Sequence, residues 1–330
     1  MSISAEEIID RRRMRRRITF WRISAFLLIA ALIVAMAGAA GAFRAFGEKA
    51  SDHIARVRIS GFIDDDRKLR ELLEELGKKK QVKAVLLEIS SPGGSTVGGE
   101  ATYEAVRKLA KTKPVVASVG TLAASAAYMI ACASDQIVSR RSSIVGSIGV
   151  LFQYGDVSDL MDRLGVKVDA VKSAPLKAEP SPFHPATEEA KQMVGRIVMD
   201  SYDWFVDLVA ECRKMDRTRV LALADGSIFT GAQGLANGLV DRLGGEETAK
   251  DWLTEAKGID KDIKIVEWKP KRDDPSALSS TAGVPAIARL VAGDSEGALA
   301  DRIVSKRLFL DGLVSVMQTS PIQSGNGTAK

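Results

Sequence analysis

Apolar positions along this chain change period several times, and each change marks an element. Ile54–Ile63 alternates and predicts a strand. Over Asp64–Lys80 the period becomes helical, with Leu69, Leu72, Leu73 and Leu76 on one face of a charged segment. Val82–Ile89 is nearly continuous in apolar residues, as in a strand covered on both faces. Gly99–Lys111 predicts a helix, Pro114–Val119 a second buried strand, and Ser125–Ala133 a helix of small residues. This strand–helix–strand–helix order predicts an α/β fold built on βαβ units. Farther along, Ser143–Val150 is β-like and punctuated by glycine, Val157–Leu164 predicts a short helix and Lys167–Val171 a short strand. Thr187 is placed to cap a helix reaching about Lys214, with Glu188 and Glu189 in its first turn. Asp216 is placed to cap another that stops near Gly226. Glycine turns fill Gly226–Gly245, Glu246–Ala256 predicts a helix, and Ile263–Glu267 the last strand. Residues 173–186 form a loop rich in Pro, Ser and Ala.

The N-terminus changes the picture. Ile23–Phe43 is 21 residues without a charge, about 32 Å as a helix and long enough for a bilayer core. Before it stand Arg11, Arg12, Arg13, Arg15, Arg16, Arg17 and Arg22, which predict a cytoplasmic N-terminus and a body on the outer face of the membrane. The stretch exceeds the usual apolar core of a cleaved leader, so an uncleaved anchor is expected. The organisation read from this is a basic cytoplasmic segment (1–22), a transmembrane anchor (23–43), a linker (44–53), a folded body (54–269) and a tail (270–330). The tail is rich in Pro, Ser, Ala and Gly, interrupted by one apolar stretch, Leu308–Met317. Of 47 basic and 42 acidic residues, seven and three lie in the first 22, leaving 40 and 39. A balanced body gives no reason to expect nucleic acid as a partner.

Two cysteines, Cys132 and Cys212, are no disulfide framework, and Cys132 reads as a small core residue on an apolar helix. No Cys/His cluster has metal-ligand spacing, and no cofactor is expected.

The candidate chemistry lies at the carboxyl ends of the two central strands, where α/β folds gather their sites. Val85–Ser95 reads Val-Leu-Leu-Glu-Ile-Ser-Ser-Pro-Gly-Gly-Ser, a strand running into a glycine turn. Val115–Val119 leads to Leu122-Ala-Ala-Ser-Ala-Ala-Tyr128, a strand delivering a serine to a helix start. Either half alone is an ordinary turn or an N-cap; the pair suggests an oxyanion hole facing a nucleophile. Such a serine needs a base. His53 sits beside the linker and reads as solvated. His184 stands in the proline loop with no acid evidently placed to orient it. Lysine is the other option, provided that burial brings its pKa from ~10.4 toward neutrality, about 4 kcal/mol of differential interaction. Lys167 and Lys172 read as solvated residues bracketing a strand, and Lys177 stands in the middle of the proline-braced loop.

Residues 54–256 resemble the signal peptide peptidase A family, membrane-anchored bacterial Ser–Lys peptidases with a fold similar to Clp proteases and crotonases. The resemblance is carried by Ser91-Pro-Gly-Gly-Ser95, Ala124-Ser-Ala-Ala-Tyr128, Gly146-Ser-Ile-Gly149, Lys172-Ser-Ala-Pro-Leu-Lys177, and the run from Phe229 to Asp241. It implies a Clp/crotonase-like α/β fold of repeated ββα/βαβ units preceded by one transmembrane helix. It further implies Ser125 as nucleophile, Lys177 as general base, Ser147 as a hydroxyl holding the amine, and backbone N–H groups of Gly94 and Ala126 as the oxyanion hole, with Gly93 shaping the turn. Ala126 and Ala127 stand where Gly-Gly often follows the serine, and Ala-Pro-Leu precedes the lysine where a glycine is common. The implied function is a serine endopeptidase that degrades signal peptides left in the inner membrane. It is implied to work as a homo-oligomeric ring in which Lys177 serves a neighbour's Ser125. The alternatives are a peptidase of the same family with a dedicated membrane-protein substrate, and a crotonase-type acyl-CoA enzyme.

Overall fold

The computed structural model describes residues 20–29, 49–271 and 314–316. It divides into a unit ending at His53 and a unit beginning at Ile54. In the first, residues 20–29 form helix α1. The rest of the expected span 23–43 lies outside the described residues, as do the arginines before Phe20. No helix among the described residues is long and apolar enough to cross a membrane.

The second unit is a mixed α/β body on one sheet. Strands β1 (His53–Ile63), β2 (Val82–Ser95), β3 (Val115–Ala124), β5 (Ile144–Gly146), β6 (Ile228–Thr230) and β8 (Lys264–Trp268) lie in the order β6-β5-β3-β2-β1-β8. Strand β4 (Gln136–Ser139) joins β3 to β7 (Arg242–Leu243). The pairs β2/β3, β3/β4, β3/β5 and β4/β7 are parallel. The near-continuous apolar runs of β2 and β3 follow from this: a parallel strand with helices above and below has no solvated face.

Alternate residues separate those faces. Val85, Leu87, Ile89, Val115, Ala117 and Val119 enter the larger core, whereas Ala84, Leu86 and Val116 enter a second core. Helix α9 (Glu246–Lys257) covers the second through Ala249, Trp252 and Leu253. The larger core takes Leu69, Leu72, Leu73 and Leu76 of α2 (Arg67–Lys78). It also takes Val106 and Leu109 of α3 (Thr96–Ala110), all of α4 (Ala126–Ala131), and Phe205, Val206, Leu208 and Val209 of α6 (Glu188–Arg213). Asp66 caps α2 by accepting from Leu69 N at 3.1 Å, and Thr187 caps α6 by accepting from Ala190 N at 3.2 Å.

Strand β3 changes partner midway, pairing with β4 through Val119 and with β5 from Leu122. Ser143 Oγ holds the crossover by donating to Gly120 O. This switch carries the end of β3 away from β4 and delivers Ser125 beside Gly146.

The run from Phe229 to Asp241 is structural throughout. Thr230 and Gln233 form a capping box on α8 (Gly231–Asn237). A Cβ on Gly231 would lie 2.0 Å from Arg140 O. Asp241 pairs with Arg213 and accepts from Ile137 N at 2.7 Å, while the buried Tyr128 hydroxyl donates to Leu239 O at 2.9 Å. Burial pushes the Tyr128 phenol well above its ordinary range, so it stays a neutral donor.

Several expectations are corrected. Lys167–Val171 is not a strand: Val168 and Val171 are exposed, and no strand among the described residues pairs with it. Helix α5 spans Ser158–Arg163 and buries none of its residues, and the helix capped at Asp216 is a short one, α7 (Arg217–Leu221). His53 is buried, with Nδ1 2.7 Å from Ser51 O, rather than solvated. Cys132 is not a lone thiol: it is bonded to Cys212 of α6, 80 residues away, with a Cα–Cα separation of 5.5 Å. The bond ties the helix that follows Ser125 to the long helix behind it.

Candidate active site

The glycine turn at the end of β2 is fixed from several sides. Ser91 Oγ donates to Gly61 O at 2.6 Å and accepts from Gly93 N at 3.1 Å. Gly93 has φ 111°, a conformation open to glycine and strained for other residues. Ser95 closes the turn as N-cap of α3, accepting from Gly98 N at 3.0 Å. The functional reading of the sequence missed Ser91 and Ser95. Their signal was present, since serine before and after a Pro-Gly-Gly turn is placed to bond local backbone.

Gly94 admits no side chain at all. A Cβ there would lie 1.8 Å from Ile63 O and 2.5 Å from Ile63 N. Gly94→Ala must therefore move backbone, at an overpacking cost of about 1–3 kcal/mol. If the Gly94 N–H serves an oxyanion, the variant should lose about 10²-fold in kcat beyond any change in melting temperature. Thermal melts and peptide turnover on one preparation check this, and unchanged turnover would remove Gly94 from the site.

Opposite stands Ser125. It has φ 56° and ψ −121° as N-cap of α4, a sharp turn that a residue with a Cβ disfavours. The turn is held by Ser125 N donating to Gly146 O at 2.9 Å and by Met129 N donating to Ser125 O at 3.0 Å. Ala126, the next residue, opens the helix, and the N–H groups of a first turn have no intrahelical acceptor. The starts of α3 and α4 abut, since a Cβ on Gly99 would lie 2.9 Å from Ala126 Cβ. The glycine turn and the serine turn are thus brought together. An N–H from the first and an N–H after the serine are the donors that acyl transfer needs at a developing oxyanion.

Ser125 is buried, and its Oγ lies 3.5 Å from Gly149 O. Ser147 is on the same loop, with φ 50° and its N–H donating to Ser227 O at 2.8 Å. Ser147 and Gly149 line a cavity of about 780 Å³ whose other walls include Val198, Met199 and Tyr202 of α6 and residues 224–228. The structure thus sets Ser125 beside Gly146, with Ser147 next in the same loop, and sets the start of α4 against the start of α3, which follows Gly94.

Lys177 makes no hydrogen bond to any of them among the described residues. It lies in an exposed turn, and its amine has no hydrogen bond or ion pair among the described residues. The sequence reading of its neighbours needs correction. Lys172 is half-buried and bonds Glu179, and Glu179 also supplies an acid to His184, whose Nε2 is 3.2 Å from Glu179 Oε1. His184 is itself 45% exposed and, like Lys177, has no hydrogen bond to Ser125 among the described residues.

The apolar stretch of the tail also enters here. Strand β9 (Val314–Val316) runs antiparallel to the glycine turn, pairing Val316 with Gly93, Ser315 with Gly94 and Val314 with Ser95. An extended chain thus lies along the turn.

The chain is similar to known proteases. The pattern of Peptidase family S49 matches residues 107–260, and that of Clp protease matches residues 56–149. A protein of Methanocaldococcus jannaschii named "Putative protease" is 40% identical over 204 residues, 62% of this chain and 65% of the relative. A "Putative protease" of Synechocystis sp. is 34% identical over 245 residues, 74% of this chain and 84% of the relative. A "Putative signal peptide peptidase SppA" of Enterococcus faecium is 39% identical over 201 residues, 60% of this chain and 57% of the relative. The chain thus spans just under two thirds of the first of these, most of the second and over half of the third.

Proposed function

The chain belongs to peptidase family S49, and from that premise we propose that it is a serine endopeptidase working through a Ser125–Lys177 dyad. Neutral Lys177 takes the proton of Ser125, whose Oγ attacks a peptide carbonyl. The oxyanion is received by the N–H groups of Gly94 and Ala126. The amine then returns the proton to the leaving nitrogen, and a water activated by the same lysine frees the acyl group. One observation carries this reading: the strained Ser125 turn abuts a glycine turn that has no room for a Cβ.

The base comes from a neighbouring copy. An exposed amine in water is protonated, and only burial against another surface makes it a base at neutral pH. Segment 154–183, which carries Lys177, exposes Val157, Leu160, Leu164, Val166, Val168 and Leu176. So much apolar surface on a segment that buries none of its apolar residues fits docking against a second copy. The cavity beside Ser147 gives the incoming amine a hydroxyl to meet. A closed homo-oligomeric ring satisfies every protomer in this way.

The substrate class is extended apolar peptide, with signal peptides left in the inner membrane as the physiological case. The apolar run 23–43 would anchor the protein there with its body outside. The register of β9 on Gly93–Ser95 supports an extended ligand, held by main-chain bonds as a strand added to the turn. Ala126 and Ala127 beside the nucleophile favour small or medium apolar side chains before the scissile bond. Profiling a peptide library with the purified full chain tests this. Cleavage after such residues is expected, and a strong preference for Arg or Asp would contradict it. Reporter fusions after Lys49 should be active only in the exported form; a cytoplasmic readout would exclude signal peptides as substrate.

A further inference from the structure

The turn that carries Lys177 is organised by a single buried carboxylate. The Glu179 side chain is only 4% exposed, although residues 173–178 are all exposed and supply no apolar packing of their own. Glu179 Oε1 accepts from Lys172 Nζ and lies 3.2 Å from His184 Nε2, and Oε2 accepts from Ser181 N at 3.1 Å. Lys172 precedes the turn, and Ser181 and His184 follow it. The carboxylate therefore pins both ends of the segment to one point.

Between those ends the backbone is closely determined. Lys177 N donates to Ala174 O at 3.1 Å, and Glu179 N donates to Leu176 O at 3.3 Å. Ala178 has φ 61°, a left-handed conformation that a residue with a Cβ adopts only when its surroundings impose it. The far side of the loop is tied to the start of α5, where Val157 N donates to Pro182 O at 2.8 Å. The charged and titratable side chains facing Glu179 are those of Lys172 and His184. Asp156 stands beyond His184, its carboxylate accepting from Ser158 N at 3.0 Å and from Ser158 Oγ at 2.6 Å. Lys172 foremost, through its hydrogen bond, holds the Glu179 carboxyl below the usual carboxylate range. A depressed carboxyl keeps its bonds through neutral pH and loses them only on acidification through its lowered pKa.

Lysine is a point charge on a flexible four-carbon stem, so the reach of its amine is set by the backbone from which it springs. We propose that Glu179 is a positioning residue for the general base: through Lys172, Ser181 and His184 it fixes the turn from which Lys177 reaches the serine. This rests on the reading of Ser125 and Lys177 as a dyad. It gives the Lys172–Glu179–His184 cluster a role that neither an ordinary surface ion pair nor a histidine base would have. A surface pair adds little to stability, and a histidine base would need Glu179 to orient His184 toward Ser125.

The test compares Glu179→Ala, Glu179→Gln and Lys177→Ala in the full chain in detergent. It measures kcat and KM on an apolar leader-like peptide across pH, together with melting temperature. Glu179→Ala should lower kcat by about 10²-fold at neutral pH, the scale of a misplaced reacting group, with KM and melting temperature nearly unchanged. The alkaline rise of kcat should move to higher pH, because a mis-set amine is less well buried. A merely structural role would not move that rise. Glu179→Gln keeps one acceptor for Lys172 and should fall between. Wild-type kcat and pH profile in Glu179→Ala would overturn the proposal, as would a loss that is equal at every pH. If Glu179→Ala does not fold, Glu179→Gln decides, and wild-type behaviour there overturns it. Lys177→Ala separates the two layers. Residual turnover in that variant refutes the dyad itself, whereas an inactive Lys177→Ala beside a fully active Glu179→Ala refutes only the positioning role.

Discussion

Ser125→Ala and Lys177→Ala should each remove peptide hydrolysis, by a factor on the order of 10⁴ or more, while leaving the melting temperature within a few degrees. Effects of that size are usual when the nucleophile or base of a serine hydrolase is deleted, because the remaining parts cannot work without it. Stability should survive for a different reason in each case. Ser125 is buried, and its turn is held by its backbone, through Ser125 N to Gly146 O and Met129 N to Ser125 O. Alanine at a left-handed turn is no worse than serine. Lys177 is exposed and its amine has no partner among the described residues, so truncation leaves nothing unsatisfied among them. His184→Ala supplies the control. It lies in the same loop and has an acid at 3.2 Å. Loss of turnover in His184→Ala together with full turnover in Lys177→Ala would identify histidine as the base. The rate of the wild type should rise with pH, because the base acts in its unprotonated form.

A second large effect should appear when two inactive chains are combined. Co-expressing Ser125→Ala with Lys177→Ala gives mixed assemblies. Within a single chain neither variant has both groups, so a dyad closed in one chain stays at zero activity. If the lysine acts on a neighbour, some junctions join an intact serine to an intact lysine, and random mixing in a closed ring restores about a quarter of the sites. The separation is between no activity and about 25% of wild type, which no difference in expression level imitates. The exposed apolar residues of segment 154–183 and the open cavity beside Ser147 both favour restoration. A fully active monomer in detergent would contradict it.

The core of the site was legible because its signals are local. A continuous apolar run reads as a strand covered on both faces, Pro-Gly-Gly marks its far end, and a serine before small residues marks a helix start. Those rules fixed the starts of β2 and β3 to within one residue and the ends of α3 and α4 to within three, whereas β2 runs on to Ser95 and β3 to Ala124. What stayed hidden depends on partners remote in sequence. Lys167–Val171 has the alternation of a strand and lacks only a neighbour to pair with. The Cys132–Cys212 bond joins residues 80 apart, on helices whose packing no period reveals. The Glu179 cluster draws Lys172, Ser181 and His184 together inside a proline-rich loop that has no periodicity, so Lys172 read as solvated and His184 as lacking an acid. The pairing of Val314–Val316 with Gly93–Ser95 crosses more than 200 residues and shows in the sequence only as an apolar stretch in a polar tail. The partner change of β3 between Val119 and Leu122 is equally silent, although it aims Ser125 at the glycine turn.

The most direct test of the central claim is covalent labelling. A fluorophosphonate reacts with a serine only where a base has activated it and donors receive the phosphoryl oxygen, so it reports the dyad and the oxyanion hole together. The full chain in detergent should be labelled with one equivalent per protomer, and peptide mapping should place the adduct on Ser125. Labelling should vanish in Ser125→Ala and fall at least 100-fold in rate in Lys177→Ala, about the contribution of a general base. An adduct on another serine, or undiminished labelling of Ser125 in Lys177→Ala, would contradict the account.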